Sequence, residues 1–209
     1  DPAGVDLVAV YKTVDAERLI AAVAAGLTTL GENRVQEAEA KVGSVGGATW
    51  HLVGPLQSNK ARRALAVFDV IESVDSLDLA RRLDRLAPDV RPDDRYPVFL
   101  QVNVDDDAAK AGFGPTALEA AVAEIVELPG LEVRGLMTIG LLVDRPEDAR
   151  PTFAALRNLS ERLRVAVPGL GPALSMGMSA DYVIAVEEGA TTVRVGQAIF
   201  GHRPHGHAH

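Results

Sequence analysis

Short apolar runs alternate with longer amphipathic segments along this chain, and each pair predicts a β-strand followed by an α-helix. In the first pair, residues 7–12 predict a strand and residues 15–25 predict a helix that Asp15 caps and Gly26 ends. The later predicted strands cover residues 28–32, 49–54, 70–74, 98–104, 132–139, 174–179 and 192–200. The later predicted helices begin at Arg34, at Asn59, at Asp75 or Ser76 and near a capping box from Thr116 to Glu119, and the last two cover residues 148–165 and 181–188.

Strict alternation of eight strands with helices predicts a parallel sheet that closes on itself, which is the single-domain (β/α)8 TIM barrel of the α/β class. An open, doubly wound sheet is the alternative architecture. No helix is predicted after the eighth strand, because only residues 202–209 follow it. We expect that position to be filled by residues preceding Asp1, by a partner, or not at all.

The predicted domains are therefore a barrel over residues 1–201 and a flexible, His-rich tail over residues 202–209. The histidines of the tail could bind a metal by composition alone. We favour a flexible terminus or an expression remnant, and no metal site is predicted.

The composition narrows the class of protein. A length of 209 residues suits one domain, and 47% hydrophobic with 24% charged residues is typical of a globular protein. A formal net charge of -8 would repel a phosphodiester backbone, so nucleic acid is not expected as a partner. Apolar runs such as residues 118–126 are too short to cross a membrane, and the chain has no cysteine. We expect a cytoplasmic protein without membrane contacts.

Polar residues and glycines cluster where the last two predicted strands end. In a (β/α)8 barrel the C-terminal ends of the strands carry the active site, and the loops after strands seven and eight often bind phosphate. These loops contain Gly177, Ser179, Arg194 and Gly196. Glycines would let backbone N–H groups approach an anion, and the arginine would add positive charge. The alternative is that the glycines only relieve crowding in a tight barrel.

Two further residues are candidates for chemistry at the same rim. Lys12 ends the first predicted strand, where a lysine in a partly dry barrel mouth can form a Schiff base with a carbonyl compound. The alternative is a surface lysine at a strand end. Trp50 and His51 alternate on the third strand, so one of them faces the barrel interior. A hydrogen-bonded structural histidine is favoured over a catalytic one, because no carboxylate partner is identifiable from the sequence.

Seven strings of the chain resemble the pyridoxal-phosphate homeostasis protein family (YggS/PROSC-like), whose barrel is related to the cofactor domain of alanine racemase. They occur in order over nearly the whole chain. The strings are LVAVYKT at 7–13, GENRVQE at 31–37, WHLVGPLQSNK at 50–60, LQVNV at 100–104, GLMTI at 135–139, LSMGMS at 174–179 and VRVGQAIFG at 193–201.

The resemblance implies a protein that binds pyridoxal 5′-phosphate, holds it as an internal aldimine on Lys12, and acts in vitamin B6 homeostasis. The other implied cofactor-binding residues are Asn33, Ser179, Arg194, Gly196 and Gln197. By the resemblance, Ser179, Gly196 and residue 197 hold the phosphate. Arg194 faces the pyridine nitrogen, and Asn33 lies close to the cofactor. Gln197 departs from the family, which commonly has a small hydroxyl residue there, so its backbone N–H is the expected contact. The family also usually begins with a helix before the first strand, which this sequence lacks.

The resemblance further implies a monomeric carrier without robust catalysis, so no catalytic residue is predicted. An arginine at the pyridine nitrogen keeps that nitrogen unprotonated and weakens the ring as an electron sink. A racemase would also need a second base opposite Lys12, and none of the three tyrosines, at positions 11, 96 and 182, is an obvious one. The alternatives are a weak amino-acid racemase and a Schiff-base aldolase acting on a phosphorylated sugar. Apo enzymes that use pyridoxal phosphate are the expected recipients.

Overall fold

The chain folds into a closed barrel of eight parallel strands whose order around the ring follows the sequence. The computed structural model describes residues 4–11 and 14–201. The first strand pairs with the last, with Leu7 opposite Val193, and this pairing closes the ring. The predicted (β/α)8 barrel is confirmed, and the open doubly wound sheet is excluded because such a sheet would leave two edges unpaired.

Helices follow the strands in regular alternation. The strands are β1 Asp6–Val10, β2 Thr29–Glu32, β3 Thr49–Leu52, β4 Val70–Val74, β5 Tyr96–Gln101, β6 Leu131–Met137, β7 Ala173–Met178 and β8 Thr192–Val195. The helices are α1 Ala16–Ala24, α2 Val35–Val42, α3 Ala61–Val67, α4 Leu77–Leu86, α5 Pro115–Val126, α6 Arg150–Ala166, α7 Tyr182–Glu187 and α8 Gln197–Phe200. Across residues 4–11 and 14–201, no helix has both the length and the hydropathy that crossing a bilayer requires.

The segment after β8 differs from the prediction of a strand over residues 192–200 with no helix after it. The strand ends at Val195, and α8 is a single turn of four residues. Phe200 N donates to Gly196 O at 2.9 Å, so the chain turns back on itself at Gly196. Residues Ala198 to Phe200 are apolar, so the pattern predicted a continuation of the strand. One helical turn is too short to show the helical period of apolar positions. The tail over residues 202–209 lies outside the described residues.

Gly26 follows the C-cap of α1 with φ +99°, as predicted. Two of the predicted N-terminal caps are also confirmed, and one is wrong. Asp15 Oδ1 accepts from the backbone N–H of Arg18 at 2.9 Å, and Ser76 caps α4. The capping box from Thr116 to Glu119 does not form. Because proline is well suited to the first helical position, α5 begins two residues earlier than the box predicts, at Pro115, and Gly114 is its N-cap.

The sheet is irregular at two places that matter for the site. Ile71 on β4 pairs with Val98 on β5 and Val74 pairs with Leu100, so two residues of β4 lie opposite one residue of β5. A similar shift interrupts the pairing of β7 with β8 after Ser175. Such bulges redirect side chains and are common beside active sites. The residues at or next to both bulges contribute to the cluster described below.

The barrel wall separates two sets of buried side chains. Most buried apolar residues, such as Leu30, Leu52 and Leu100, form one cluster that continues into the helices. A smaller cluster contains Val70 and Phe99 together with Met137. Val70 pairs with His51 in the sheet, and paired residues of parallel strands share a face. His51 therefore faces the barrel interior beside this smaller apolar cluster.

Candidate functional site

Arg194 on β8 has its guanidinium inside the barrel, where the side chain is only 4% exposed. NH1 donates to Ser175 Oγ at 2.6 Å, and NH2 donates to the Thr138 carbonyl oxygen at 2.6 Å. The Thr138 hydroxyl donates in turn to Val102 O at 2.8 Å, which holds the end of β6 in place. A guanidinium has five N–H donors, so these two bonds fix its plane and leave other donors for a ligand.

A carboxylate that the sequence analysis did not single out lies beside this arginine. Glu72 on β4 is fully buried, and its Oε1 is 2.6 Å from His51 Nδ1. Its Oε2 accepts from Ser175 Oγ at 2.5 Å and lies 3.9 Å from Arg194 NH1. We call these four residues, His51, Glu72, Ser175 and Arg194, the interior network. His51 is buried and hydrogen-bonded, as favoured from the sequence, and its partner is a carboxylate that the sequence did not identify.

Glu72 is the residue that sequence reasoning missed, although a signal was present. Strand β4 reads Val-Ile-Glu-Ser-Val, and all five of its residues are buried. A fully buried glutamate is almost always paired, so one charge within an apolar strand indicates a partner in the interior.

Burial acts on both charges of the interior network. Burial raises the pKa of Glu72, but the hydrogen bond and charge of His51, together with the charge of Arg194, outweigh it and hold that pKa below its ordinary value. Burial also lowers the pKa of Arg194, while the charges of Glu72 and Asp181 oppose that shift. An arginine nevertheless stays protonated in proteins. Besides His51, the interior network therefore holds a buried guanidinium and a buried carboxylate.

The lowered pKa of Glu72 predicts that the free energy of unfolding of the barrel decreases at acidic pH. A carboxyl with a lowered folded-state pKa stabilises the fold above its unfolded pKa of about 4.3, and that contribution is lost as the pH falls through the folded pKa. We expect the free energy of unfolding, measured in urea from pH 7 down to about pH 3, to fall more steeply in the wild type than in Glu72→Gln. Glu39→Gln is the control, because Glu39 forms a solvent-accessible pair with Arg63 that contributes little. Equal acid slopes in the wild type and Glu72→Gln would contradict the prediction.

The loops after β7 and β8 come together, as the barrel architecture predicts. Gly196 N donates to Ser179 Oγ at 3.2 Å. A Cβ on Gly196 would lie 2.6 Å from the carbonyl oxygen of Val10, so the backbones of β1 and this loop approach closely. Gly177 adopts φ +91°, and a Cβ there would lie 2.5 Å from the Ala185 Cβ. Crowding thus explains why both residues are glycines.

Asn33 follows β2 and is half-buried. Its backbone N–H donates to Glu32 Oε1 at 2.6 Å, and Glu32 is 1% exposed. A Cβ on Gly54 would lie 2.7 Å from the Asn33 Cα, so the loop after β3 packs directly on Asn33. The backbone of Asn33 is therefore held from two sides.

The two remaining predicted site residues are Gln197 and Lys12. Gln197 is the first residue of α8 and is exposed, and Lys12 lies outside the described residues.

The three tyrosines differ in their surroundings. Tyr11 is fully buried, and its ring lies edge-on to Trp50 with the centroids 5.9 Å apart. Tyr96 is also fully buried, and its hydroxyl donates to the carbonyl oxygen of Phe68. Both belong to the cluster that packs against the helices, whereas Tyr182 is 41% exposed.

Comparisons with known proteins agree with this geometry. The chain matches the family model for the alanine racemase N-terminal domain over residues 2–204. The pyridoxal phosphate homeostasis protein of Pseudomonas aeruginosa is 42% identical over 208 residues, which cover 99% of this chain and 88% of the relative. The corresponding protein of Synechocystis is 38% identical over 206 residues and is covered to 93% of its length, with 97% of this chain matched.

Solved structures agree as well. PipY of Synechococcus elongatus, determined with PLP bound, superimposes with a TM-score of 0.89 at 43% identity and covers 96% of this chain and 94% of its own. An alanine racemase of Clostridium difficile superimposes with a TM-score of 0.80 at 14% identity, over 99% of this chain and 55% of its own, which shows the shared fold alone. The chain therefore belongs to the pyridoxal phosphate homeostasis protein family, one branch of the proteins built on the alanine racemase N-terminal barrel.

Proposed function

We propose that this protein binds pyridoxal 5′-phosphate, attaches it covalently through the amine of Lys12, and serves in vitamin B6 homeostasis. One observation carries the proposal. Arg194 is buried and hydrogen-bonded at both terminal nitrogens, and its strand leads directly to Gly196, whose N–H donates to Ser179 in the loop after β7. The relatives named pyridoxal phosphate homeostasis protein and the PLP-bound structure of PipY support it.

The residues of the site fit this cofactor. The phosphate is an anion, which suits the Ser179 hydroxyl hydrogen and the backbone N–H of Gln197, while the Gly196 N–H holds the Ser179 oxygen in place. A Cβ at position 196 would collide with the carbonyl oxygen of Val10, so a glycine is what allows this loop to lie against β1. The ring nitrogen is an acceptor, which suits the free donors of Arg194. Asn33, held through its backbone, completes the proposed contact set.

The same residues favour holding the cofactor over strong catalysis. When bound, pyridoxal phosphate supplies an aldehyde that reacts with amines and a ring that withdraws electrons. Arg194 is a permanent cation in a dry interior, so it opposes a second positive charge on the ring nitrogen. An unprotonated ring nitrogen weakens the electron sink that carbanion chemistry needs.

The racemase and aldolase alternatives lack a supporting observation among the described residues. Racemisation needs a second base that reaches the cofactor. Tyr11 and Tyr96 are buried in the layer facing the helices, and the Tyr96 hydroxyl is already bonded to a carbonyl. We therefore propose a carrier that acts as a monomer in the cytoplasm and passes the cofactor to apo enzymes.

The test of this function is covalent labelling at Lys12. The protein is mixed with pyridoxal 5′-phosphate, its visible absorbance is recorded, the complex is reduced with borohydride, and the modified peptide is identified by mass spectrometry. We expect one adduct, on Lys12, and its loss in Lys12→Ala, because an amine in a barrel mouth adds to the aldehyde more readily than a solvated one.

Lys60→Ala is the matched control, since Lys60 lies in the 3-10 turn before α3 and not in the segment that follows β1. It should label like the wild type. An adduct spread over several lysines, or none, would overturn the proposal. The carrier role is tested separately: the loaded protein should restore the activity of an apo enzyme, and a reduced, irreversibly labelled sample should not.

A further inference from the structure

Hydrogen positions in the interior network follow from the chemistry of its members. Arginine has no acceptor, so the Ser175 oxygen must accept from Arg194 NH1, and the Ser175 hydrogen must point to Glu72. An ionised carboxylate only accepts, so His51 Nδ1 must carry the hydrogen that lies between it and Glu72. Each hydrogen bond therefore has one direction. Arg194 donates to Ser175, and both Ser175 and His51 donate to the Glu72 carboxylate.

The carboxylate acts on the arginine through the serine. The direct separation between Glu72 Oε2 and Arg194 NH1 is 3.9 Å, too long for a hydrogen bond, whereas both bonds through Ser175 Oγ are 2.6 Å or shorter. A hydroxyl that donates to an anion becomes a stronger acceptor, because hydrogen bonds in a chain polarise one another. The pull of Ser175 on Arg194 thus depends on Glu72.

We propose that Glu72 is a positioning residue: acting through Ser175, it fixes the direction of the Arg194 guanidinium and balances its charge so that a remaining N–H meets the cofactor's ring nitrogen. His51 holds the other oxygen of Glu72 and so fixes the rotation of the carboxylate. The contact with the ring nitrogen rests on the proposed function. The positioning of the arginine does not, because all four side chains belong to the protein.

A cofactor-free NMR measurement tests the positioning alone. With 15N-labelled arginine, we expect the wild type to give a resolved Arg194 Nε–H signal, assigned by its loss in Arg194→Lys, and separate signals for the terminal NH2 groups because rotation is slow in the clamp. In Ser175→Ala and Glu72→Gln that rotation should accelerate until the NH2 signals merge. Ser160→Ala is the matched control, because Ser160 is also buried but lies on α6, outside the interior network.

Binding of pyridoxal phosphate tests the functional consequence. We expect the dissociation constant of Ser175→Ala to rise roughly tenfold or more, as for loss of a well-aligned bond to a charged group, with Ser160→Ala unchanged. With 15N-labelled cofactor, the chemical shift of the ring nitrogen should indicate an unprotonated nitrogen in the wild type. In Ser175→Ala and Glu72→Gln the shift should change, because the hydrogen bond to that nitrogen changes.

The outcomes separate the two proposals. Slow guanidinium rotation that persists in Ser175→Ala and Glu72→Gln would overturn the positioning role, as would an equal loss of affinity in Ser160→Ala. If Glu72→Gln does not fold, Ser175→Ala still decides the matter, because it removes the link and keeps both charges. If the wild type takes up no pyridoxal phosphate, the proposed function fails, and the cofactor-free spectra still confirm or contradict the positioning.

Discussion

Gly135→Ala is expected to cost the barrel at least about 3 kcal/mol of unfolding free energy, and the variant should be largely unfolded if the barrel has ordinary stability. A Cβ on Gly135 would lie 2.6 Å from the carbonyl carbon and 2.8 Å from the nitrogen of Ala173, and closer still to its oxygen. All three atoms are backbone atoms of β7, the strand that pairs with β6 at this point, so no side-chain rotation relieves the contact. Urea unfolding followed by circular dichroism measures the effect.

Gly43→Ala is the matched control for this substitution. Gly43 is the C-cap of α2, with φ -69° and ψ -20°, and nothing lies within 4 Å of a Cβ built on it. Alanine adopts this conformation readily and restricts the unfolded chain, so the control should be neutral or more stable by up to about 1 kcal/mol. A Gly135→Ala variant as stable as Gly43→Ala would show that β6 and β7 can separate without loss.

Arg194→Met should destabilise the protein by about 3–5 kcal/mol, the usual cost of removing one partner of a buried ion pair. The methionine fills similar volume, but Glu72 would remain buried as an anion with only His51 and Ser175 as partners. The same variant should lose affinity for pyridoxal phosphate, because the proposed donor to the ring nitrogen is gone. Chemical unfolding and cofactor titration measure the two effects separately.

The double variant Glu72→Gln, Arg194→Met separates stability from binding. Glutamine can keep hydrogen bonds to His51 and Ser175 while removing the unpaired charge, so much of the lost stability should return. Cofactor affinity should stay low, because the arginine is still absent. A double variant as unstable as Arg194→Met alone would mean that charge pairing is not what the arginine contributes to the fold.

The barrel and the proximity of its last two loops were predictable from the sequence because both follow from local repetition. Eight short apolar runs, each followed by an amphipathic one, leave few ways to arrange a parallel sheet. Once the ring is assumed, the loops after strands seven and eight must be neighbours. The contact between Ser179 and Gly196 therefore required no knowledge of distant residues.

The interior network was not predictable in the same way. Glu72 on β4 and Arg194 on β8 are on strands that are not neighbours, and they meet only across the interior of the closed ring. Which side chains meet there depends on the register of each strand pair, including the shift beyond Ile71 that no local pattern encodes. The one-turn helix after β8 was not predicted for a different reason: its four residues are too few to show the helical period of apolar positions.

The distribution of the interior network along the chain also bears on how the barrel folds. Glu72 and His51 belong to the first half of the ring, whereas Ser175 and Arg194 arrive with its last two strands. Until β8 pairs with β1, burying the Glu72 carboxylate would leave it without its cation, at a cost of several kcal/mol. A half-formed barrel therefore keeps its centre hydrated, and the dry core and the closed ring form in the same late step. This coupling makes partly closed forms costly and folding correspondingly all-or-none.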